Sequence, residues 1–241
     1  MKSISIASRA TLNRVARLFL NQPCPICDRA TPQTFCPDCD RQLVQSFQQH
    51  VQIQTANSLS ITALGKYDGI LKQAILAMKY RDRPDVALPL GAALAKRWQT
   101  SCTPANQTSA KQTIALPIPL HAERQKSRGY NQAERIATAF CQMSGLRHFP
   151  HGLQRVKVTQ PQHALSASER AQNLAQVFQV GDTLQKELSR KNRQPARSKP
   201  AILLIDDIYT TGATARSAAA TLKQMEIPVL GIAVLAKAGL D

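Results

Sequence analysis

The segment Ala201-Ile202-Leu203-Leu204-Ile205-Asp206-Asp207-Ile208-Tyr209-Thr210-Thr211-Gly212-Ala213-Thr214 constrains this chain more than any other. An unbroken aliphatic run is the pattern of a strand covered on both faces, as in a parallel sheet. Two adjacent carboxylates close the run, a short loop of hydroxyl residues and glycine follows, and the Ala-rich stretch from Thr214 to Met225 reads as a helix. Strand, acid pair, loop and helix in that order make a cradle for a sugar phosphate. The backbone amides of Thr211, Gly212, Ala213 and Thr214 would face the phosphate from a helix N-terminus, and Gly212 would let the backbone approach it closely. Asp206 and Asp207 can accept hydrogen bonds from ribose hydroxyls, directly or through a hydrated metal ion. Two other uses of an acid pair after a strand fit less well. A Walker-type ATPase needs a Gly-x4-Gly-Lys-Ser/Thr loop, which this chain lacks, and a response regulator needs most of a domain after its acid pair.

The rest of the chain alternates strand and helix patterns, which implies a parallel sheet flanked by helices. Strands are expected at Ser60 to Tyr67, Thr113 to Leu120, Leu153 to Val158, Val177 to Val180 and Val229 to Leu235. Helices are expected at Asp68 to Tyr80, Val86 to Trp98, Ala133 to Met143 and, as a short piece, Ser168 to Ala175. Residues Ser46 to Ser60 read as a polar connector. His121 to Gln132 reads as a basic loop, and Leu184 to Pro200, rich in Lys and Arg, reads as a mobile insertion. A fold boundary is placed at residue 57, with a small module in 1–57 and an α/β domain in 58–241.

Cys24-Pro25-Ile26-Cys27 and Cys36-Pro37-Asp38-Cys39 form two C-x2-C knuckles. Together they offer four thiolates, the tetrahedral set that structural Zn2+ prefers, with no open position for catalysis. The alternatives are a pair of disulfides or a redox motif; a reducing compartment argues against the first, and the doubling of the motif against the second. About forty residues cannot build a sufficient core alone, so a metal is expected to hold the module together. Cys102 and Cys141 read as packing residues.

The net charge is +16 over 241 residues, which points to an anionic partner without choosing between nucleic acid and phosphorylated small molecules. Aromatic content of 5% gives no row of stacking platforms. No apolar stretch approaches the roughly 20 residues that span a bilayer. Residues Met1 to Gln22 carry Lys2, Arg9, Arg14 and Arg17 and no acid, and they read as a short amphipathic helix rather than a transit peptide. The expected location is therefore cytoplasmic.

Arg124, Lys126 and Arg128 follow the strand that ends at Leu120, where open α/β sheets bind ligands, and they suit capture of a pyrophosphate. A further polar group comprises Arg155, Thr159, Gln162, Leu165, Ser166, Arg170 and Asn173. With the cysteine knuckles, Lys79-Tyr80, Pro117-Ile118-Pro119-Leu120-His121, Arg128-Gly129-Tyr130-Asn131-Gln132-Ala133-Glu134 and the Asp206-to-Thr214 loop, these residues make a pattern that resembles the ComF family of phosphoribosyltransferase-like competence proteins. The resemblance runs from about Phe19 to the C-terminal end. It implies a type I phosphoribosyltransferase fold behind a zinc-ribbon-like module, with phosphoribosyl pyrophosphate and Mg2+ at the acid turn. Asp206 and Asp207 would be the catalytic pair, and Asp206, Asp207, Thr210, Thr211, Gly212, Ala213 and Thr214 the binding set. Arg155 and Arg170 would belong to a loop that closes over the ligand. The resemblance also implies a link to natural transformation, with single-stranded DNA and DNA-uptake or helicase-like proteins as partners. A non-catalytic protein that senses phosphoribosyl pyrophosphate or a nucleotide is the alternative. Two features depart from the pattern: Tyr209 stands where an aliphatic residue is usual, and the 184–200 connection is long.

Overall fold

The computed structural model describes residues 21–47, 51–54, 59–101, 113–156, 177–192 and 200–239. Thr159, Gln162, Leu165, Ser166, Arg170, Asn173 and Cys102 lie outside them, as do the expected helices at Met1–Gln22 (up to residue 20) and Ser168–Ala175.

The aliphatic run becomes β9 (Ile202–Tyr209) in a six-stranded sheet that also contains β3 (Val51–Gln54), β4 (Ser60–Lys66), β5 (Ile114–Pro117), β6 (Arg147–His148) and β10 (Val229–Lys237). The order is β3-β4-β10-β9-β5-β6. Five strands are parallel, and β3 adds to the edge antiparallel to β4. The centre of the sheet explains the unbroken aliphatic sequence. Leu203 and Ile205 face one hydrophobic cluster, Ile202 and Leu204 the other, so both faces of β9 are buried.

The first cluster packs α2 (Gly69–Tyr80), α3 (Ala87–Ser101) and α5 (Gln132–Ser144) against the sheet through Leu71, Ile75, Leu90, Leu94, Ile136 and Phe140. The second is covered by α7 (Ala213–Gln224), α6 (Asp182–Asn192) and a hairpin of β7 (Leu153–Arg155) with β8 (Phe178–Val180). The fold is thus the α/β sheet with helices on both faces expected from the strand and helix alternation.

Three local expectations are corrected. The polar connector contains a strand, Val51–Gln54, because four residues pair in register with Ser60–Ala63. The 184–200 stretch is helical in its first half: Leu184 is fully buried and Leu188 packs beside it, while Arg147 pairs with Glu187 at 2.7 Å. Two apolar residues at i, i+4 are enough to seat a helix whose remaining face is charged. The acid pair does not end its strand either. Pairing with β10 continues through Ile208↔Ala236 and Tyr209↔Lys237, so Asp206 and Asp207 project from inside the last turns of a central strand.

The cysteine module consists of β1 (Gln22–Pro23), β2 (Ala30–Thr31) and α1 (Pro37–Ser46). Its Cys24, Phe35, Cys36, Cys39 and Leu43 belong to the same cluster as Leu64, Leu71 and Leu90. The module has no core of its own, as its size predicts, and borrows the face of α2 and α3. Arg83 fastens the join, donating to the Pro23 carbonyl at 2.6 Å while its guanidinium grips Asp85 with two 2.9 Å bonds.

Candidate functional site

The acid turn is built by β9 and the entry to α7. Gly212 caps α7 with φ of 76°, the left-handed conformation that favours glycine. A Cβ there would lie 2.0 Å from the Tyr209 hydroxyl, so the glycine also makes room for that buried ring. The buried Tyr209 packs its ring beside Gly212 and into the second hydrophobic cluster. Thr210, Thr211 and Thr214 are exposed, Ala213 is half-buried and Gly212 buried. The Thr211 hydroxyl accepts from the Ala213 amide at 3.4 Å, and Arg216 donates to the Thr211 carbonyl at 2.7 Å. The next first-turn amides, of Thr214 and Ala215, have no carbonyl a turn behind them within the helix, which is the donor array a phosphate uses.

The two carboxylates are not equivalent. Asp207 forms an ion pair with Lys79 at 2.9 Å, and both side chains are mostly buried, at 13% and 16% exposure. Asp206 accepts the amide of Asp207 at 2.8 Å. Its carboxyl is pushed up to about 8, first by desolvation and then by the neighbouring Asp207 charge, with Lys79 and Arg155 pulling the other way. Arg155 ends β7 with its guanidinium 5.7 Å from the Phe178 ring. Desolvation and the charge of Arg124 depress its basicity, Asp206 partly restores it, and its buried Nε has no hydrogen-bond partner among the described residues. An unpaired buried donor at the edge of an acid pair marks a place where an anion would be stabilised.

Arg124, Lys126 and Arg128 do not lie on a loop. They belong to α4 (Ala122–Arg128), a two-turn helix with Glu123 in its first turn, cations in its last, and Gly129 (φ 78°) closing it by donating to the Gln125 carbonyl at 2.8 Å. None of its residues is buried, so no apolar period betrayed it. The three cations line an open groove of ≈ 930 Å3 with Lys79, Tyr80, Asp82, Tyr130 and Arg135. The buried Tyr130 donates its hydroxyl to the Met78 carbonyl, and Asn131 donates to the Ile118 carbonyl at 3.1 Å while accepting from Ala133. Those bonds fix α4 and the end of α2 on the carboxyl side of β5. His121 caps α4 and lies 3.9 Å from Glu123.

The four sulfurs of Cys24, Cys27, Cys36 and Cys39 lie within 4.8 Å of one another, and Cys27 and Cys36 are 3.5 Å apart. A tetrahedron with Zn–S bonds of ≈ 2.3 Å has edges of about 3.8 Å, so the sulfurs fit a metal such as zinc. Arg29 donates to Cys27 at 3.4 Å and brings that thiol down to about 6, toward the thiolate a metal requires. Desolvation pushes the Cys39 thiol well up in the absence of a cation.

No family model matches the chain. It is 34% identical over 121 residues to "Competence protein F" of Haemophilus influenzae, covering 49% of this chain and 48% of that protein. It is also 25% identical over 156 residues to "DNA utilization protein YhgH" of Salmonella typhimurium, covering 64% of this chain and 61% of the relative. It spans roughly half to three-fifths of the length of the curated proteins it matches.

The structure brings Asp206, Asp207, Arg155 and Arg124 into one electrostatic group, and Arg124, Lys126 and Arg128 into one groove. Arg170 lies outside the described residues. The sequence pattern included Lys79-Tyr80 but gave neither residue a role, and Arg135 was not singled out. No local spacing marks Lys79 in the sequence, because a helix that follows a parallel strand ordinarily ends away from the carboxyl edge where ligands bind. Among the described residues no helix is long and apolar enough to cross a membrane.

Proposed function

We propose that the chain binds phosphoribosyl pyrophosphate, with the sugar at the acid turn and the diphosphate toward the α4 groove. The observation that carries this is the acid pair at the carboxyl end of a central parallel strand, followed directly by the glycine-capped start of α7. The amides at the α7 N-terminus would hold the 5-phosphate. Several charge-assisted bonds at roughly 1.5–3 kcal/mol each outweigh the ~0.3–1 kcal/mol of a helix dipole near a surface, so loop geometry dominates. Asp206 and Asp207 would orient the ribose hydroxyls and offset positive charge growing at the anomeric carbon. Arg124, Lys126, Arg128 and Arg155 would offset the charge of departing pyrophosphate. In a transfer, the bond from the anomeric carbon to the pyrophosphate oxygen breaks and one to the acceptor nucleophile forms, the acceptor giving up a proton. Mg2+ would reduce the charge of the pyrophosphate. With Asp207 paired to Lys79 and Asp206 desolvated, the pair presents no ready cation site of its own, so the ion would be held by ligand oxygens. Zn2+ is assigned to the four cysteines as a structural ion.

The names of the relatives support a role in competence or DNA utilisation. We place that role in the cytoplasm, with single-stranded DNA or a DNA-uptake protein as partner. The charge of +16 fits that reading. A second reading, favoured by the pairing of Asp207 with Lys79, is a sensor that binds phosphoribosyl pyrophosphate or a nucleotide without turnover.

Calorimetric titration with phosphoribosyl pyrophosphate and Mg2+ tests the proposal. Binding that disappears in Asp206→Ala/Asp207→Ala is expected, and absence of heat from a folded, zinc-loaded protein would remove it. Pyrophosphate release over a panel of acceptors separates enzyme from sensor. DNA affinity should fall steeply with salt, in proportion to the phosphates neutralised.

A further inference from the structure

Lys79 belongs to two sites at once. Its ammonium pairs with Asp207 in the acid turn, and its side chain also lines the α4 groove. The groove gathers Lys79, Arg124, Lys126, Arg128 and Arg135 around one acid, Asp82. Among the described residues, none of Arg124, Lys126, Arg128 and Arg135 has an ion-pair partner. Lys79 is the exception, and its partner is the carboxylate that a sugar would need. A long, flexible ammonium is a point charge that can exchange carboxylate for phosphate with little geometric penalty. The backbone that carries it is fixed, because Tyr130 bonds the carbonyl of the preceding Met78 and the amide of Arg81 closes α2 on Ala77. Only the side chain has to move.

We propose that Lys79 is an exchange residue: it neutralises Asp207 in the free protein and transfers to a diphosphate arriving in the groove, releasing Asp207 for the ribose hydroxyls. The groove and the acid turn are then coupled, and the sugar site is completed only when the diphosphate is present. This rests on the reading that both belong to one ligand. In the free protein the electrostatic competition runs the other way, so Asp207 weakens the groove's hold on anions by occupying one of its cations.

Magnesium-free inorganic pyrophosphate is the probe, because it needs the groove and not the ribose contacts. Asp207→Asn frees Lys79 and is expected to tighten pyrophosphate binding about tenfold, the worth of one charge-assisted contact. Lys79→Met is expected to weaken it by a similar factor. The double variant Lys79→Met/Asp207→Asn, which removes both members of the buried pair and so guards against a folding defect, should match Lys79→Met rather than fall between the two. Equal weakening in Asp207→Asn and Lys79→Met, or additive effects in the double variant, would overturn the exchange. Ribose 5-phosphate, titrated separately, addresses the sugar reading. If it binds the wild-type protein but pyrophosphate does not improve its affinity, the coupling fails while the acid turn stands. If it does not bind and pyrophosphate still obeys the expected order, the exchange stands and the sugar assignment falls.

Discussion

The acid pair stores an electrostatic penalty whose sign and pH window follow from its surroundings. The Asp206 carboxyl is pushed up from an ordinary value of 3.8 to about 8 by desolvation and by Asp207. Between those values the folded protein holds a proton that the unfolded chain has lost. The penalty is absent below about 4, grows as pH rises, and is complete above about 8. At about 1.4 kcal/mol per pH unit the ceiling is several kcal/mol. Residual solvent contact of Asp206 and sharing of the repulsion with Asp207 reduce it, so we expect about 2–3 kcal/mol at pH 8.5. Asp206→Asn removes the charge, keeps the shape and can still accept the Asp207 amide. For a chain of this length, 1 kcal/mol moves the melting temperature by about 2–4 °C. The variant should therefore melt about 4–12 °C above wild type at pH 8.5, and by roughly a third of that at pH 5. Thermal unfolding followed by circular dichroism at half-unit steps from pH 5 to 9 measures the difference. The matched control is Asp207→Asn, which strands the Lys79 ammonium and should show no such gain. A difference that does not change with pH, or a variant less stable throughout, would refute the account.

Three further outcomes follow from the same geometry. Elemental analysis should find one zinc per chain, and chelation or Cys36→Ser should lower the melting temperature of the whole α/β fold, since Cys24, Cys36 and Cys39 share a core with Leu64 and Leu90 and structural zinc contributes on the order of 10–16 kcal/mol of apparent binding energy. Gly212→Ala should cost about 2–4 kcal/mol in urea unfolding and abolish phosphate binding, because it combines a strained backbone at φ of 76° with overlap of the Tyr209 ring. Arg155→Met should leave the free protein as stable or about 1 kcal/mol more stable at pH 6, by deleting a buried donor that has no partner among the described residues, yet weaken pyrophosphate binding about tenfold in calorimetry.

What the sequence disclosed and what it hid divide along a physical line. Ile202–Ile205 announced a doubly covered strand because burial on both faces leaves no polar alternation, and the four cysteines announced their cluster because ligand chemistry restricts both identity and spacing. The α7 helix was legible through its Ala-rich run, although it begins at Ala213 rather than Thr214. Elements held by tertiary partners left no such trace. The α4 helix has no buried residue, the α6 helix is seated chiefly by Leu184 and Leu188, and Val51–Gln54 is a strand because β4 offers it an edge. The same distinction governs the site. Asp206 and Asp207 are neighbours in sequence and were found together, but the surroundings that make them inequivalent include Lys79, which is far from them along the chain, and Arg155. Neither is recoverable from a local pattern, because a pair formed across the sheet imposes no spacing on the sequence. A pattern of residues can therefore nominate the group that meets a ligand, while the residues that set its charge must be read from the fold. In this chain the residue that does so, Lys79, also faces the groove, and control of charge and recognition of an anion meet in one side chain.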